Sequence, residues 1–252
     1  MKETNYSKIA KKYDKNKFRH NIELDIDIKK IIEGSDNQKL KFLDLSCGTG
    51  IYLSKQIQYF NEEYIEWHGL DASQDMLDKA KDKTSKALLK RGLAEYLPYD
   101  SEYFDFIVNN YAFQHYQEKP KVLDEVARVV KRNGIFKMHN ISIHDMKKWW
   151  IYEFFPSAYS EDLKRFWNKE LIFKELSIRD FDVKIHMEYK MEAGKIADFM
   201  GYVYNRDISV LTLISDDEFN SGVKMMENMI KKDPQVEVVN DFAEIFFVAT
   251  KR

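Results

Sequence analysis

Two groups of residues have the types and spacing that a ligand-binding site requires. The first is a glycine turn, residues 46–50 (Ser-Cys-Gly-Thr-Gly), and the second is Asp71, 21 residues beyond Gly50. Glycine adopts positive φ readily and has no β-carbon, so a ligand can approach the backbone closely at such a turn. A carboxylate can accept a hydrogen bond from each hydroxyl of a ribose, and an acidic residue roughly 20 positions after the turn is suited to this role. We therefore expect the turn and Asp71 to bind a nucleoside-containing ligand.

The turn lacks one feature of a dinucleotide site. A pyrophosphate requires the pattern G-x-G-x-x-G, whereas here Gly48 and Gly50 are followed by Ile51 and Tyr52 and the third glycine is missing. The sequence therefore favours a ligand without a pyrophosphate over NAD.

The elements that must position these residues alternate between short apolar strands and amphipathic helices. This alternation predicts an α/β fold with a parallel sheet, in which ligands bind beyond the carboxyl ends of the strands. Ser73 is a candidate helix cap, and Pro120 suits the first turn of a helix that Asn133 and Gly134 close. The predicted strands cover residues 41–45, 64–70, 87–90, 104–108, 135–138, 181–189 and 242–250. The predicted helices cover residues 6–12, 21–32, 51–60, 120–130, 192–204 and 216–232, and a further helix after Ser73 has Met76, Leu77 and Ala80 on its inner face.

Composition limits the class of protein. The chain has 252 residues, 40 Lys and Arg against 42 Asp and Glu, and a net charge of -2, so no global basic excess favours nucleic acid. The one cysteine excludes an internal disulfide framework and a cysteine-rich metal site, and we expect no metal. The first residues are polar and no run of about 20 apolar residues exists, so we expect no signal peptide, no membrane span and a cytoplasmic location.

Five segments, in order and at matching spacing, resemble class I S-adenosylmethionine-dependent methyltransferases of the small-molecule, UbiE-like branch. The segments are Tyr-Ser-Lys-Ile-Ala-Lys-Lys-Tyr-Asp at 6–14, Asp-Leu-Ser-Cys-Gly-Thr-Gly at 44–50, Gly-Leu-Asp-Ala-Ser at 69–73, Ala-Glu-Tyr-Leu-Pro-Tyr at 94–99 with Phe-Asp-Phe-Ile-Val at 104–108, and Glu-Val-Ala-Arg-Val-Val-Lys-Arg-Asn-Gly at 125–134. The resemblance implies a Rossmann-like sheet of seven strands, the last antiparallel, with S-adenosylmethionine as cofactor.

The resemblance also implies roles for individual residues. The turn would hold the methionine half of the cofactor, Asp71 the ribose and Met76 the adenine, while Asn109 would face the methionine carboxylate and the methyl group. The implied cofactor-binding residues are Asp44, Ser46, Cys47, Gly48, Gly50, Asp71, Ala72, Met76, Leu93, Ala94, Glu95 and Asn109.

Three residues depart from the family pattern. Ser46 stands where the family usually has glycine, which we expect to tighten the turn slightly. Leu93 stands where many members carry an aspartate that accepts from the adenine amino group, so the Ala94 backbone is left to recognise adenine. Asn133 replaces a proline or glycine, and we expect little functional consequence.

Methyl transfer from a sulfonium needs in-line approach more than acid–base help, but a hydroxyl or protonated amine acceptor needs a base. His115 is the candidate base, and the alternative is that it only lines or closes the pocket. No activating pair for a Cys47 nucleophile is evident.

The acceptor pocket is expected to involve Tyr6, Tyr13, Gln114 and Trp149. The aromatic run 149–155 either lines this pocket or forms the core of an inserted helix pair, and Tyr6 and Tyr13 either cap the pocket or only pack the N-terminal helix. We expect one methyltransferase domain over residues 1–252. Residues 1–34 would form a helical lid, and residues 142–178 and 190–235 would form helical insertions.

The predicted function is S-adenosylmethionine-dependent methyl transfer to oxygen, nitrogen or carbon of a small-molecule acceptor. The alternatives are an RNA or protein methyltransferase and a non-catalytic protein that binds the cofactor and regulates a partner, with a nicotinamide-dependent reductase the weakest. The sequence leaves the acceptor and the oligomeric state open.

Overall fold

The computed structural model describes Asp14, residues 20–36 and residues 38–252. The helices found there are α1 (Ile26–Glu33), α2 (Ile51–Tyr59), α3 (Gln74–Lys83), α4 (Lys119–Val129), α5 (Trp150–Phe154), α6 (Pro156–Arg165), α7 (Lys169–Ser177), α8 (Ile196–Tyr204) and α9 (Asp216–Lys232). The strands are β1 (Leu40–Leu45), β2 (Ile65–Asp71), β3 (Ala87–Arg91), β4 (Phe104–Asn110), β5 (Val130–Ile141), β6 (Phe181–Lys195) and β7 (Glu237–Lys251). The predicted helix over residues 6–12, Tyr6 and Tyr13 lie outside the described residues.

The strands form one mixed sheet in the order β3-β2-β1-β4-β5-β7-β6. The pairs β1–β2, β1–β4, β2–β3 and β4–β5 are parallel. The strand order reverses between β1 and β4, and this is the point at which open α/β sheets bind ligands beyond the carboxyl ends of their strands. The predicted Rossmann-like fold class is confirmed.

The chain divides into two compact units. The larger unit contains the described residues up to His139 together with residues 173–185 and 246–252, and the smaller unit contains residues 140–172 and 186–245. The predicted organisation as one domain with a lid and two insertions stays a prediction.

Apolar side chains of β1, β2 and β4 form the core of the larger unit. Phe42, Trp67 and Phe106 pack with their rings edge to face, with centroids 5.2 Å apart for Phe42–Trp67 and 5.8 Å apart for Phe42–Phe106. Because β1 and β4 are buried on both faces, they read as continuous apolar runs in the sequence. This burial fixes the positions of the loops that follow the strands.

Helix α1 is held to the sheet by buried charges. Lys137 on β5 lies 2.9 Å from a carboxylate oxygen of Asp25 and 2.9 Å from one of Asp27. Asp25 also caps α1, accepting from the backbone of Asp27, which explains why α1 begins at Ile26 and not at the predicted residue 21.

Two other predicted boundaries were wrong for reasons of strand pairing. Helix α4 ends at Val129 and β5 begins at once at Val130, which pairs with Phe104. Asn133, expected to close the helix, lies within β5 at φ +63°. The helix expected from residue 192 begins at Ile196, since β6 continues to Lys195.

The smaller unit has an aromatic core. Trp150 stacks on Phe199 with a centroid distance of 4.6 Å, and Phe155 stacks on Phe219 at 5.8 Å. Trp149 is only 7% exposed and packs edge to face on Tyr152. The aromatic run 149–155 is therefore largely core within this unit. Among the described residues, no helix is both long enough and apolar enough to cross a bilayer.

Candidate functional site

The glycine turn connects β1 to α2 in the larger unit. Three of its residues have left-handed backbones, Ser46 at φ +66°, Gly48 at φ +54° and Gly50 at φ +73°. The turn is fixed to β2, because the backbone N–H groups of Ser46 and Cys47 both donate to the carbonyl of Leu70, over 2.7 and 3.0 Å.

Gly48 and Gly50 are glycine for different reasons. A β-carbon at Gly50 would lie 2.9 Å from the β-carbon of Ala80 on α3, so close packing and φ +73° together require glycine there. A β-carbon at Gly48 would meet no atom within 4 Å. Gly48 therefore faces open space, where a ligand can approach the backbone.

Asp71, at the carboxyl end of β2, supports the turn directly. Its carboxylate accepts from the backbone N–H of Gly48 over 2.8 Å and from that of Ser73 over 2.9 Å. Burial raises the pKa of Asp71, and these backbone hydrogen bonds oppose the rise. The predicted spacing between the turn and Asp71 thus reflects a direct contact between them.

Asp44 is the most electrostatically unusual residue of the site. It is 4% exposed, and its Oδ2 atom has no hydrogen-bond partner among the described residues. Burial, and then repulsion by the Asp71 carboxylate, raise the pKa of Asp44 to about 8. A positively charged ligand beside Asp44 would favour the carboxylate form and so lower this pKa.

Beyond β4, Asn109 is buried with its Nδ2 atom 2.9 Å from the carbonyl oxygen of Leu45 and 2.7 Å from the hydroxyl of Tyr116. The same hydroxyl lies 2.7 Å from Ser46 Oγ. The structure therefore connects Asn109 to the turn through Tyr116. Tyr116 is not among the predicted site residues, and the one signal for it in the sequence is its position next to His115.

Asp14 is a second residue that the sequence analysis did not nominate. Its carboxylate accepts from the Thr49 hydroxyl over 2.6 Å and lies 2.8 Å from Lys83 Nζ, which also donates to the Thr49 carbonyl. Burial would raise the pKa of Asp14, but Lys83 and Thr49 outweigh it and lower the pKa. Asp14 is the described residue of the segment 6–14, and it contacts the glycine turn.

The residues predicted around adenine lie beside Asp71. The backbone N–H of Gly92, which precedes Leu93, donates to the Asp71 carbonyl over 3.1 Å. Leu93 is 54% exposed, Ala94 is buried and Glu95 is half-buried. The Ala72 carbonyl accepts from Arg91, and Met76 is buried on α3. The structure thus brings the predicted segments 71–76 and 93–95 to one edge of the sheet.

His115 ends a short 3₁₀ turn (Phe113–His115) after β4. Gln114 Nε2 donates to the Tyr111 carbonyl over 2.7 Å and lies 3.1 Å from His115 Nε2. The carbonyl contact identifies this Gln114 atom as nitrogen, so His115 Nε2 accepts and the proton of neutral His115 is on Nδ1. Trp149, the fourth predicted pocket residue, belongs to the smaller unit.

A second histidine was not predicted. His139, near the carboxyl end of β5, accepts from or donates to the Tyr111 hydroxyl over 3.0 Å. Its ring stacks on Phe246 with a centroid distance of 4.0 Å. Tyr111 has a strained backbone, at φ +51°. His139 thus lies near the carboxyl end of β5, and His115 follows the carboxyl end of β4.

Cys47 is buried within the turn. Burial, and then the carboxylates of Asp44 and Asp71, raise the pKa of its thiol. A raised pKa is the opposite of what activates a nucleophilic cysteine.

These residues fit S-adenosylmethionine. The cofactor carries an ammonium and a sulfonium, and the site offers the unpaired oxygen of Asp44 and the carboxylate of Asp71. Its amino-acid half needs a close approach to the backbone, and Gly48 faces open space. The charge and the shape of the site therefore both suit this cofactor.

Comparison with known proteins gives the same result. Residues 43–138 match the family model described as a methyltransferase domain. An uncharacterized protein of Methanocaldococcus jannaschii is 35% identical over 149 residues, covering 58% of this chain and 53% of that protein. The ubiquinone/menaquinone biosynthesis C-methyltransferase UbiE of Campylobacter jejuni is 30% identical over 99 residues, covering 38% of this chain and 42% of that protein. The chain thus spans about half or less of the length of these relatives.

A solved structure supports the fold. The putative methyltransferase from an antibiotic biosynthesis pathway of Anabaena variabilis aligns with a TM-score of 0.64 at 18% identity, covering 90% of this chain and 98% of that one. The predicted recognition and the predicted cofactor are confirmed. Over residues 43–138 the chain thus matches the methyltransferase domain family, and its fold is shared with the solved methyltransferase structure.

Proposed function

We propose that this chain catalyses transfer of a methyl group from S-adenosylmethionine to a small-molecule acceptor. The observation that carries the proposal is the buried Asp44 carboxyl, whose Oδ2 atom has no hydrogen-bond partner among the described residues, in the strand that leads into the turn with the open face of Gly48. When bound, the cofactor supplies a methyl group already activated by a sulfonium. The protein then needs to bind, orient and exclude water more than it needs to activate the donor.

Each residue of the site has a proposed task. Asp44 would hold the ammonium of the methionine half, and the backbone of Gly48 would contact the same half. Asp71 would accept from the ribose hydroxyls, using the lone pairs that Gly48 and Ser73 leave. The segment 93–95 would contact the adenine, with Leu93 contributing only apolar contact because its side chain cannot accept a hydrogen bond.

His115 and His139 are the proposed acid–base groups for an acceptor that must lose a proton. His115 Nε2 already accepts from Gln114, so the Gln114 side chain must turn away before this nitrogen can take a proton from an acceptor. His139 is held by Tyr111 and Phe246, which fix its ring. Transfer to an acceptor that is already nucleophilic would require neither histidine.

The small-molecule class is supported by the relatives and by charge. The related UbiE is named as a C-methyltransferase of ubiquinone and menaquinone biosynthesis, and the net charge of -2 gives no general attraction to nucleic acid. The alternatives remain an RNA or protein methyltransferase and a non-catalytic cofactor-binding protein. No observation on the described residues favours a nicotinamide-dependent reductase.

The test incubates the protein with S-adenosylmethionine carrying a radioactive methyl group and with cell extract separated by size. We expect S-adenosylhomocysteine to form and the label to enter the low-molecular-weight fraction. Label in RNA or protein would contradict a small-molecule acceptor and would support an RNA or protein methyltransferase. Calorimetric binding of S-adenosylhomocysteine without turnover in any fraction would support the non-catalytic alternative, and NADH serves as the control ligand.

The acid–base groups need a separate measurement once an acceptor is known. We expect His115→Ala or His139→Gln to flatten the rise of kcat with pH while leaving cofactor affinity within about twofold. A variant whose turnover stays within a few-fold of the unsubstituted protein at every pH would exclude that histidine as the base.

A further inference from the structure

Three polar side chains form a hydrogen-bonded chain beside the glycine turn. Asn109 Nδ2 lies 2.7 Å from the Tyr116 hydroxyl, and that hydroxyl lies 2.7 Å from Ser46 Oγ. Asn109 and Tyr116 are buried, whereas Ser46 is half-buried. These three hydrogen-bonded side chains thus run from the protein interior to a surface of the candidate cofactor site.

The direction of each hydrogen bond follows from the groups present. Asn109 Nδ2 donates to the Leu45 carbonyl over 2.9 Å, which fixes this atom as nitrogen and leaves its second hydrogen for Tyr116. Burial raises the pKa of Tyr116, so its hydroxyl keeps its proton at neutral pH. That proton needs an acceptor, and Ser46 Oγ is the acceptor within reach among the described residues. Ser46 therefore accepts from Tyr116.

The proton of the Ser46 hydroxyl is therefore directed away from Tyr116. Among the described residues, the one side-chain hydrogen bond of Ser46 Oγ is the bond to Tyr116, and Asp44 Oδ2 has no partner. Ser46 also holds a left-handed backbone at φ +66°, a conformation that is strained for a residue with a β-carbon. Serine at this position strains the backbone more than glycine would, but it places a hydroxyl at the start of the turn.

We propose that the Ser46 hydroxyl donates to the carboxylate of the cofactor's methionine half, and that Tyr116 is the positioning residue that orients it. This inference rests on the proposed function. The carboxylate is the one anionic group of S-adenosylmethionine, while the site already holds the carboxylates of Asp44 and Asp71. An anionic group entering beside them needs hydrogen-bond donors, and a serine whose acceptor capacity is used by Tyr116 presents one.

The test compares two ligands that differ only in this group, S-adenosylmethionine and decarboxylated S-adenosylmethionine. We expect Ser46→Gly to weaken binding of S-adenosylmethionine about tenfold, as for a lost hydrogen bond to a charged group, and to leave the decarboxylated ligand within about twofold. Glycine suits φ +66°, so this variant keeps the backbone of the turn. Thermal unfolding of each variant confirms that it is folded.

Tyr116→Phe tests the positioning role. We expect Tyr116→Phe to weaken the binding of S-adenosylmethionine about threefold and to leave the binding of the decarboxylated ligand unchanged. In the double variant it should cause no further loss of affinity beyond that of Ser46→Gly. Tyr99→Phe is the matched control, because the Tyr99 hydroxyl is buried and has no partner among the described residues. It should change neither affinity.

Two results would overturn the inference. An equal loss of both ligands in Ser46→Gly would mean that Ser46 acts only through the backbone, and unchanged affinity for both would mean that its hydroxyl makes no contact. An unsubstituted protein that binds neither ligand would instead contradict the proposed function, and this inference would fail with it.

Discussion

The carboxyl group of Asp44 lies in an environment that opposes its charge. Burial and the neighbouring Asp71 raise its pKa to about 8, so near neutral pH the cofactor-free protein holds a proton there. The ammonium of a bound cofactor would favour the carboxylate and expel that proton. Cofactor binding and proton release should therefore be coupled at this residue.

We predict that affinity for S-adenosylhomocysteine rises as the pH rises from about 6 to about 8, by at most about tenfold per pH unit, and then levels. Calorimetry at about pH 7 in buffers of different ionisation enthalpy should detect close to one released proton. Asp44→Asn should remove both the proton release and most of the pH dependence. Undiminished proton release in this variant would contradict the assignment.

The raised pKa of Asp44 has the opposite effect on folding stability, which falls as the pH rises, whereas cofactor affinity rises. A carboxyl whose pKa is raised in the folded state stabilises the fold in full when the pH is below the pKa of that carboxyl in the unfolded chain. This stabilisation is lost as the pH rises through about 8, the pKa in the folded state. We predict that the unfolding free energy of cofactor-free protein falls between about pH 4 and about pH 8, and that it falls less in Asp44→Asn. Urea unfolding of both proteins across this range measures the difference.

Asp71 combines two tasks in one carboxylate. We predict that Asp71→Ala weakens cofactor binding by about 1.5–3 kcal/mol, since it removes an acceptor for the ribose and the acceptor of the Gly48 N–H. Asp75→Ala, which removes an exposed carboxylate from α3, the helix that follows Asp71, is the matched control. Unchanged affinity in Asp71→Ala, measured by titration calorimetry, would exclude the ribose assignment.

At the residue scale, the sequence could predict what strand ends determine and little else. Asp44 and Asp71 lie at the ends of predicted strands, so their meeting beyond β1 and β2 followed from the fold class. Tyr116 contacts Ser46 across 70 positions, and Asp14 contacts Thr49 across 35. Such side-chain contacts depend on loop conformations that local propensity does not determine.

At the scale of elements, the start of α2 depends on its close approach to α3. We predict that Gly50→Ala lowers the unfolding free energy by about 2–4 kcal/mol, because the new β-carbon would meet Ala80 at 2.9 Å in a backbone at φ +73°. Cofactor affinity should fall with it, since Gly50 ends the glycine turn and is the N-cap of α2.

The matched control for this substitution is Gly201→Ala in the interior of α8. A β-carbon at Gly201 would meet no atom within 4 Å, so we expect a gain of about 0.5–1 kcal/mol from helix propensity. Urea unfolding of the two variants should give shifts of opposite sign. A Gly50→Ala protein as stable as the unsubstituted one would contradict the packing argument.

Elements with strong local signals were predictable. Helix α9 was predicted with its observed bounds, and Ser215 caps it ahead of three acidic residues in its first turn. The boundaries that were wrong depend on distant pairing: Val130 enters β5 because it pairs with Phe104, and α8 begins at Ile196, whose N–H donates to the Val236 carbonyl. Neither partner can be identified from the local sequence.

At the scale of the whole molecule, a ligand that binds only the folded state adds its binding free energy to stability. We predict that S-adenosylhomocysteine at about 100 times its Kd raises the unfolding free energy by about 2.7 kcal/mol and the Tm by about 5–10 °C. Asp71→Ala at the same ligand concentration should show a smaller shift, and NADH should show none. A shift with NADH comparable to that with S-adenosylhomocysteine would contradict the cofactor assignment.

The burial of Cys47 makes the glycine turn observable without any substitution. It is the one cysteine of the chain, it is 8% exposed, and its thiol has a raised pKa. An alkylating reagent therefore has a single target, which should react only while the turn is transiently open. The ratio of this labelling rate to that of the unfolded chain would give the free energy of local opening, and its suppression by added cofactor would give an affinity independent of heat or turnover.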